Sequence, residues 1–565
     1  MALLVGQHNP YLGDYGDDAE LLILGQGLAT GQGYAWVNTP DVPAHNRYPP
    51  GYPALVTLAM VVSGTGVSAA QAIVPAKLLT MVTLAVAAAL LWPLARRRLG
   101  TPWAAGAVAI FVLNPFVLRF AGEVMSDVPY VLALLAALAW ADYISRPGVQ
   151  GAGAPCPPEA KNSPPLPEGE GGWGVRAELV GWALLGALLA LGAYVRSVGL
   201  AAGVGARAWA WWYCWREWGR GDGARASWAP ALAATGAFLL LLLPWWVRDA
   251  TLAGGWRYLE ELLAAQYSAP AAGTVTSSDL IGRAVGNVGF LVGKPGVFGA
   301  AGMVAGVAGA AVVLMGYWTC LRRVGGASEL RGGWGLGGAA EWVAVALVVA
   351  VLFWPIRTGR YLLPVIPLLG IYAIAGALAI GEAVSRLSPR WRLRPWVSGL
   401  VAAGIVGFAL LEGLYAGREV LQNRSALALG GGAAGYYAGR PEWGRYLEAA
   451  GWLRENAGAG DVALGRRHFL LYVMSGRYAD KYRFETTPEE LDYLFSGTRR
   501  KLVVEDAFSE LRGDFAPLHS AVRGRGGDLR LRYETGAPAV RVWELVRAGE
   551  TPGGTSSGAV TPRAP

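Results

Sequence analysis

Cysteine is scarce in this chain: three in 565 residues, at positions 156, 214 and 320. Thiols so few and so far apart exclude a disulfide-stapled fold and offer no thiolate metal centre. No internal repeat is visible, which counts against transporter folds built from duplicated halves. Residues 417–548 hold His468 and His519 but no paired acids and no nucleophile constellation, so a structural or acceptor-recognising role is expected there. Nucleic acid is not an expected partner. The net charge of +8 comes largely from short arginine groups between apolar runs, where basic residues face anionic lipid.

Apolar length is what the chain has in quantity. Hydrophobic residues make up 54% of it, and a bilayer core about 30 Å thick needs roughly 20 apolar residues of helix. Ten stretches meet that need, near 71–95, 102–119, 128–145, 177–195, 199–215, 228–247, 297–321, 341–356, 361–384 and 396–415. Arginines gather at every second break: Arg96–Arg98, Arg146 and Arg176, Arg216 to Arg225, Arg322 and Arg323, and Arg386 to Arg394. Short cytoplasmic loops carry the Lys/Arg excess. These five breaks are therefore expected inside, with residues 1–70, the loop 248–296 and the tail from about 417 outside. An external first segment calls for a preceding helix, so an eleventh span upstream of Met1 is expected. Tryptophans at 209, 211, 212, 215, 218, 245 and 246 mark helix ends at the interface.

The pattern is that of a polytopic α-helical membrane protein. Residues 1–70 read as a first extracytoplasmic loop and 71–416 as a transmembrane domain. Residues 147–175 read as a disordered cytoplasmic insertion rich in Pro, Gly and Glu, and 549–565 as a disordered tail. Residues 417–548 read as an extracytoplasmic α/β domain. Helices are expected over 442–456, around 469–474 and in PEELDYLFSG, and strands near 462–464, in KLVVED, and near 528–533 and 539–546.

Chemistry is expected at the outer mouths of the helices. Asp14, Asp17 and Asp18 open a helix whose Leu21, Leu22, Leu24 and Leu28 suit the membrane interface. Acids there also serve as caps and dipole partners. Asp127 opens the third span, where it could equally be an N-cap. Arg196, Arg248, Arg357 and Arg360 sit at other outer mouths. Ionisable groups at membrane depth need a reason, and one reason is a site that grips a phosphate and removes a proton beside it. Tyr48, Pro49, Pro50 and Tyr52 shape the first loop, since proline fixes φ. His45 in that loop is read as polar surface, and no metal is assigned.

In this order, GDDAELLILGQGLATGQGY, RYPPGYPALVTL, NPFVLRFAGEVMSDVPY, LPWWVRDATLAGG and RTGRYLLPVIPLL resemble membrane glycosyltransferases of the GT-C superfamily. The branch in question holds the protein O-mannosyltransferases (glycosyltransferase family 39) and the aminoarabinose transferase of lipid A. The resemblance spans about residues 9–480. It implies a GT-C-like transmembrane bundle and an inverting transfer of sugar from a polyprenyl-phosphate donor to an acceptor hydroxyl, on the outer face of the plasma membrane. The acceptor would be a glycan, a lipid or a protein. The resemblance implies Asp17 as general base, Asp18 beside it, and Asp127 orienting substrate or assisting a metal; a divalent metal is left open as the sole cofactor. It also implies Arg360, with Arg357 and Arg248, as the phosphate grip. Two departures stand out: an Asp17–Asp18 pair replaces the usual aspartate–glutamate, and Arg47–Tyr48 precedes the two prolines. The rival reading is a transporter or flippase for a lipid-linked or anionic solute, although transporters usually place polar sites near the midplane. A sensor would need a cytoplasmic output domain, and none is visible.

Overall fold

The computed structural model describes residues 11–12, 16–64, 66–145, 171–219, 228–252, 264–266, 269–274, 276–293, 302–324, 338–355, 359–387, parts of 396–421, 437, 440–508 and 515–548. Arg357, residues 147–170 and 549–565, and much of the expected span 396–415 lie outside them. The helices of the first half are α1 (Asp17–Ala29), α2 (Gly51–Ser63), α3 (Ala69–Leu99), α4 (Thr101–Leu113), α5 (Pro115–Ala121) and α6 (Asp127–Ile144). Then come α7 (Gly171–Val195), α8 (Gly199–Gly219), α9 (Ala229–Thr251), a hairpin of β1 (Ala264–Gln266) and β2 (Ala269–Thr274), and α10 (Ser277–Gly293). Next are α11 (Gly302–Val324), α12 (Ala339–Leu352), a 3₁₀ turn (Gly359–Leu362) and α13 (Ile366–Leu387). The C-terminal part runs α14 (Pro441–Asn456), β3 (Val462–Gly465), α15 (His468–Ser475), β4 (Tyr478–Lys481), α16 (Pro488–Phe495) and β5 (Lys501–Glu505). It ends with α17 (Ala516–Gly524), β6 (Gly527–Glu534) and β7 (Arg541–Arg547).

The chain divides into two compact units. One holds residues 1–45, 53–78 and 418–565, the other residues 46–52 and 79–417. Residues 1–45 and 53–78 thus fall in one unit with the C-terminal part of the chain.

The larger unit is helical, and the chain is a multi-pass membrane protein. Among the described residues five helices are long and apolar enough to cross a membrane: α3, α6, α7, α9 and α13. A sixth is α4 with α5, bent by 57° between them. The bend has a local cause. Asn114 Oδ1 accepts from the N–H groups of Phe116 and Val117, and Pro115 at the first helical position starts α5 afresh. Helices α8, α11 and α12 occupy three further expected stretches, but α12 has only 14 residues. Helix α7 begins at Gly171, inside the stretch read as an insertion. Helices α11 and α13 cross at two glycines: a Cβ on Gly316 would lie 1.7 Å from the Tyr372 carbonyl, and one on Gly376 would lie 1.9 Å from that of Val312. Small residues let backbones pack this closely where lipid supplies no hydrophobic drive.

One end of the helix set is tied by charge. Arg98, fully buried, donates from Nε to Glu341 Oε1 at 2.8 Å and from Nη1 to Asp142 Oδ2 at 3.1 Å. Glu341 Oε2 also accepts from the Gly338 N–H at the start of α12. The third arginine of Arg96–Arg98 is therefore not a lipid contact, because two buried acids supply its counter-charge.

In the smaller unit a five-stranded sheet has the order β4-β3-β5-β7-β6. β3 runs parallel to β4 and β5, and β7 is antiparallel to β5 and β6. Its core joins Val462, Leu464, Tyr482, Phe484, Leu494, Val503, Phe515 and Leu518. All seven elements expected here are present, and β4 and α17 are additional. The edge strand β4 is covered by the N-terminal segment: the Ala479 N–H donates to the Asn38 carbonyl at 2.8 Å, and Asn38 Nδ2 donates to the Ala479 carbonyl at 2.7 Å. Covering an edge satisfies backbone groups that would otherwise invite another strand. Helix α1 is buried from Asp18 to Gly25. Its Leu21, Leu22 and Leu24 are packed within the protein, so the expectation that they lie in the membrane interface is corrected.

Two consequences are measurable. Arg98→Met leaves the buried Glu341 without its cation and Asp142 with Arg97 alone, and about 3–5 kcal/mol of stability should be lost, read as unfolding of the detergent-solubilised protein. His468 is buried, and burial first, with nearby Lys481 second, pushes its pKa from 6.5 down to about 3. The unfolded chain then takes up a proton below pH 6.5 that the folded chain refuses, so stability falls with pH over the window from 6.5 to 3. Between pH 7 and pH 5 this group should cost about 2 kcal/mol. His468→Gln should remove that part of the acid sensitivity in thermal unfolding scans.

Candidate functional site

Asp127 is the first residue of α6; the N-cap position belongs to Ser126, whose side chain makes no cap hydrogen bond. Its carboxylate is fully buried. It survives there because two guanidiniums meet one of its oxygens: Arg196 Nη1 lies 2.7 Å and Arg360 Nε 2.9 Å from Oδ2. Three separate pieces of chain supply these groups. Arg196 follows the end of α7, where a cation complements the helix dipole, and its N–H still donates to the Gly192 carbonyl at 3.0 Å. Arg360 stands in the 3₁₀ turn before α13. Arg196 also donates to Ser126 Oγ at 3.2 Å and lies over the Tyr361 ring. Arg360 lies over the Phe120 ring.

The cluster of one carboxylate and two arginines carries a net charge of +1. Both arginine side chains keep 11% exposure, so they remain reachable at one edge. Two guanidiniums in a poorly solvated place suit a phosphate better than they suit a metal. A divalent cation at Asp127 would meet both of them, which argues against Asp127 as a metal-assisting acid. Among the described residues no group of three His, Cys, Asp or Glu is arranged to hold a metal.

The loop-shaping residues act on this cluster. Tyr52 is fully buried and its hydroxyl pairs with Thr80 Oγ1 at 3.1 Å. Gly51, between Pro50 and Tyr52, presses on the end of α7: a Cβ there would lie 2.6 Å from the Tyr194 carbonyl. The turn that holds Tyr48, Pro49 and Pro50 thus abuts the residues just before Arg196. Arg248, at the end of α9, pairs with its neighbour Asp249 at 3.2 Å.

The other acids belong to the smaller unit. Gly16, with φ +74°, precedes α1 and gives no side-chain cap. Asp18 is buried, and its Oδ1 accepts from the Ala19 N–H at 2.8 Å, so part of its role is the helix start. Asp17, one residue earlier, is partly exposed. On the same helix Glu20 accepts from Trp36 Nε1 at 3.2 Å and lies 3.8 Å from His45 Nδ1. His45 is buried beneath Tyr34 and Trp36, and is not the polar surface that a lone loop histidine suggests. Sequence reasoning also left out Lys77, a buried lysine of α3 whose Nζ donates to the Tyr11 carbonyl. A single lysine inside the apolar run 71–95 was the available signal for it. For Arg196 the signal was its place in YVRSVG between two spans.

No protein-family model matches the chain, and no curated protein matches it in sequence. Its fold is nevertheless that of the GT-C membrane glycosyltransferases. The chain is similar to ArnT from Cupriavidus metallidurans bound to undecaprenyl phosphate, with a TM-score of 0.53, 14% identity and 96% of both chains covered. It is also similar to the archaeal oligosaccharyltransferase AglB from Archaeoglobus fulgidus in complex with an inhibitory peptide and a dolichol-phosphate. There the TM-score is 0.50 and the identity 12%, covering 94% of this chain and 70% of that one.

The contact at Gly51 can be tested by a single methyl. Gly51→Ala should destabilise by about 1–3 kcal/mol through overpacking. Gly282→Ala, in open space on α10, should cost nothing measurable in the same thermal unfolding assay.

Proposed function

We propose that this protein is an inverting glycosyltransferase that moves a sugar from a polyprenyl-phosphate donor to an acceptor hydroxyl at the outer face of the plasma membrane. The observation that carries the reading is the buried carboxylate between Arg196 and Arg360, on a fold shared with membrane glycosyltransferases. The acceptor oxygen attacks the anomeric carbon as the bond from that carbon to the phosphate oxygen breaks. The hydroxyl proton passes to Asp17, the implied general base, with Asp18 fixed beside it on α1. Charge grows on the departing phosphate oxygen. Arg360 and Arg196 neutralise it, with Arg248 and Arg357 as further cations, and guanidinium pairs bind phosphate oxygens with defined geometry. Asp127 holds the two arginines together and in place; it does not take the proton. Arg196 enters this set in its own right.

The solved structures named above support the donor class: ArnT was seen with undecaprenyl phosphate and AglB with dolichol-phosphate. The acceptor is a glycan, a lipid or a protein hydroxyl, and the C-terminal sheet domain, read as extracytoplasmic, is the natural place for its recognition.

Transfer of label from a panel of radioactive polyprenyl-phosphate sugars into native membranes tests the reading, with Asp17→Asn beside wild type. That substitution keeps the shape and removes the base, so transfer should fall by about a hundredfold or more. Donor binding without transfer from any panel member, equal in the two proteins, would replace the reading with a transporter.

A further inference from the structure

The last carbonyls of a helix have no donor within it and need one from elsewhere. At the end of α12 that donor comes from a different helix. Asn287 of α10, only 4% exposed, donates from Nδ2 to the carbonyls of Leu352 at 2.8 Å, Trp354 at 2.9 Å and Val351 at 3.2 Å. An asparagine in the apolar face of SSDLIGRAVGNVGFLVG is costly to bury unless its amide is satisfied. Here both hydrogens are shared among three acceptors.

What those carbonyls precede gives the contact its interest. Five residues after Trp354 the 3₁₀ turn begins, and it carries Arg360. The Trp354 ring packs on the Tyr361 ring at 4.8 Å between centroids, and Arg196 lies over that same ring at 5.5 Å. Asn287 therefore fixes the backbone of Trp354, the Trp354 ring steadies Tyr361, and Tyr361 adjoins one arginine of the cluster and underlies the other. A cap serving only α12 could have come from a residue within its own loop. Drawing it from α10 ties a third helix to the turn that presents the cation.

We propose that Asn287 is a positioning residue for Arg360, acting through the end of α12 and the Trp354–Tyr361 contact. The inference rests on the reading of Arg360 as a phosphate-binding group. It predicts that Asn287 governs affinity for the lipid phosphate although it need not touch the lipid.

The test is a binding titration of the full-length protein in detergent micelles with undecaprenyl phosphate as probe. Wild type, Asn287→Leu, Asn287→Gln, Arg360→Ala and the double variant Asn287→Leu/Arg360→Ala are compared. Asn287→Leu removes the donor and should weaken binding about tenfold, the scale of one or two lost hydrogen bonds. Asn287→Gln keeps the amide and should recover part of that loss. The double variant should bind no more weakly than Arg360→Ala alone, because both changes act through one group. Losses that add, or a lowered unfolding temperature with unchanged binding, would make Asn287 a structural cap and sink the inference. Wild-type binding by Arg360→Ala would instead overturn the phosphate reading beneath it. Should Asn287→Leu fail to fold, Asn287→Ser retains one donor and should weaken binding about threefold, with the same non-additivity required.

Discussion

Asp127 cannot hold its charge at the mouth of a membrane helix without cations, and much of the larger unit is arranged to bring it two. A carboxylate taken out of water loses solvation worth many kcal/mol unless paired. Arg196 and Arg360 supply the pairing from the end of α7 and the turn before α13. Three stretches of chain far apart in sequence are thereby joined at one atom, Oδ2. The joint is electrically unbalanced, since two positive groups meet one negative group. That surplus is the physical ground for proposing an anion as its ligand.

The same constraint acts at the other end of α6. Asp142 lies fifteen residues beyond Asp127, roughly 22 Å along the helix, and with Glu341 it surrounds Arg98. There Arg97, 3.4 Å from Asp142, adds a second cation, so two arginines meet two acids and the charges cancel. Opposite ends of one helix use the same ion-pair chemistry: the balanced cluster fastens helices, and the other keeps a surplus positive charge. The Arg96–Arg98 run is a lesson in reading charge. Composition assigns all three residues to a membrane surface, yet the third is buried because its counter-ions lie in helices α6 and α12.

In the smaller unit the decisive contact is made by backbone. Asn38 imitates a strand residue against Ala479, its main-chain carbonyl accepting and its amide donating. An edge strand is capped, and the segment after the acid-bearing helix is fastened to the C-terminal sheet. Trp36 packs on Phe469 of α15 nearby. The acids Asp17 and Asp18 thus open a helix followed by a segment hydrogen-bonded to the sheet. The proposed general-base role of Asp17 would require such fixing, since a proton acceptor must keep its aim within fractions of an ångström. Glu20 and His45 below it belong to that support.

The class of the protein was legible because apolar length and arginine placement depend on the bilayer alone, which acts on each segment separately. The elements of 440–548 were legible for a similar reason: period-two and 3.6-residue patterns are local. Motif and position single out Asp127 and Arg360 as candidates, but not their pairing, and they leave Arg196 as one rim arginine among several. Partnership is a property of two residues that sequence separates by 69 positions in one case and 233 in the other. The burial of α1 and His45 was likewise hidden, since a leucine-rich helix has the same sequence whether it faces lipid or protein. Sequence by itself determined what each segment had to avoid, namely water for the apolar runs and hydrocarbon for the charges. Tertiary structure alone decided which charge answers which, because only packing brings distant side chains within hydrogen-bonding distance.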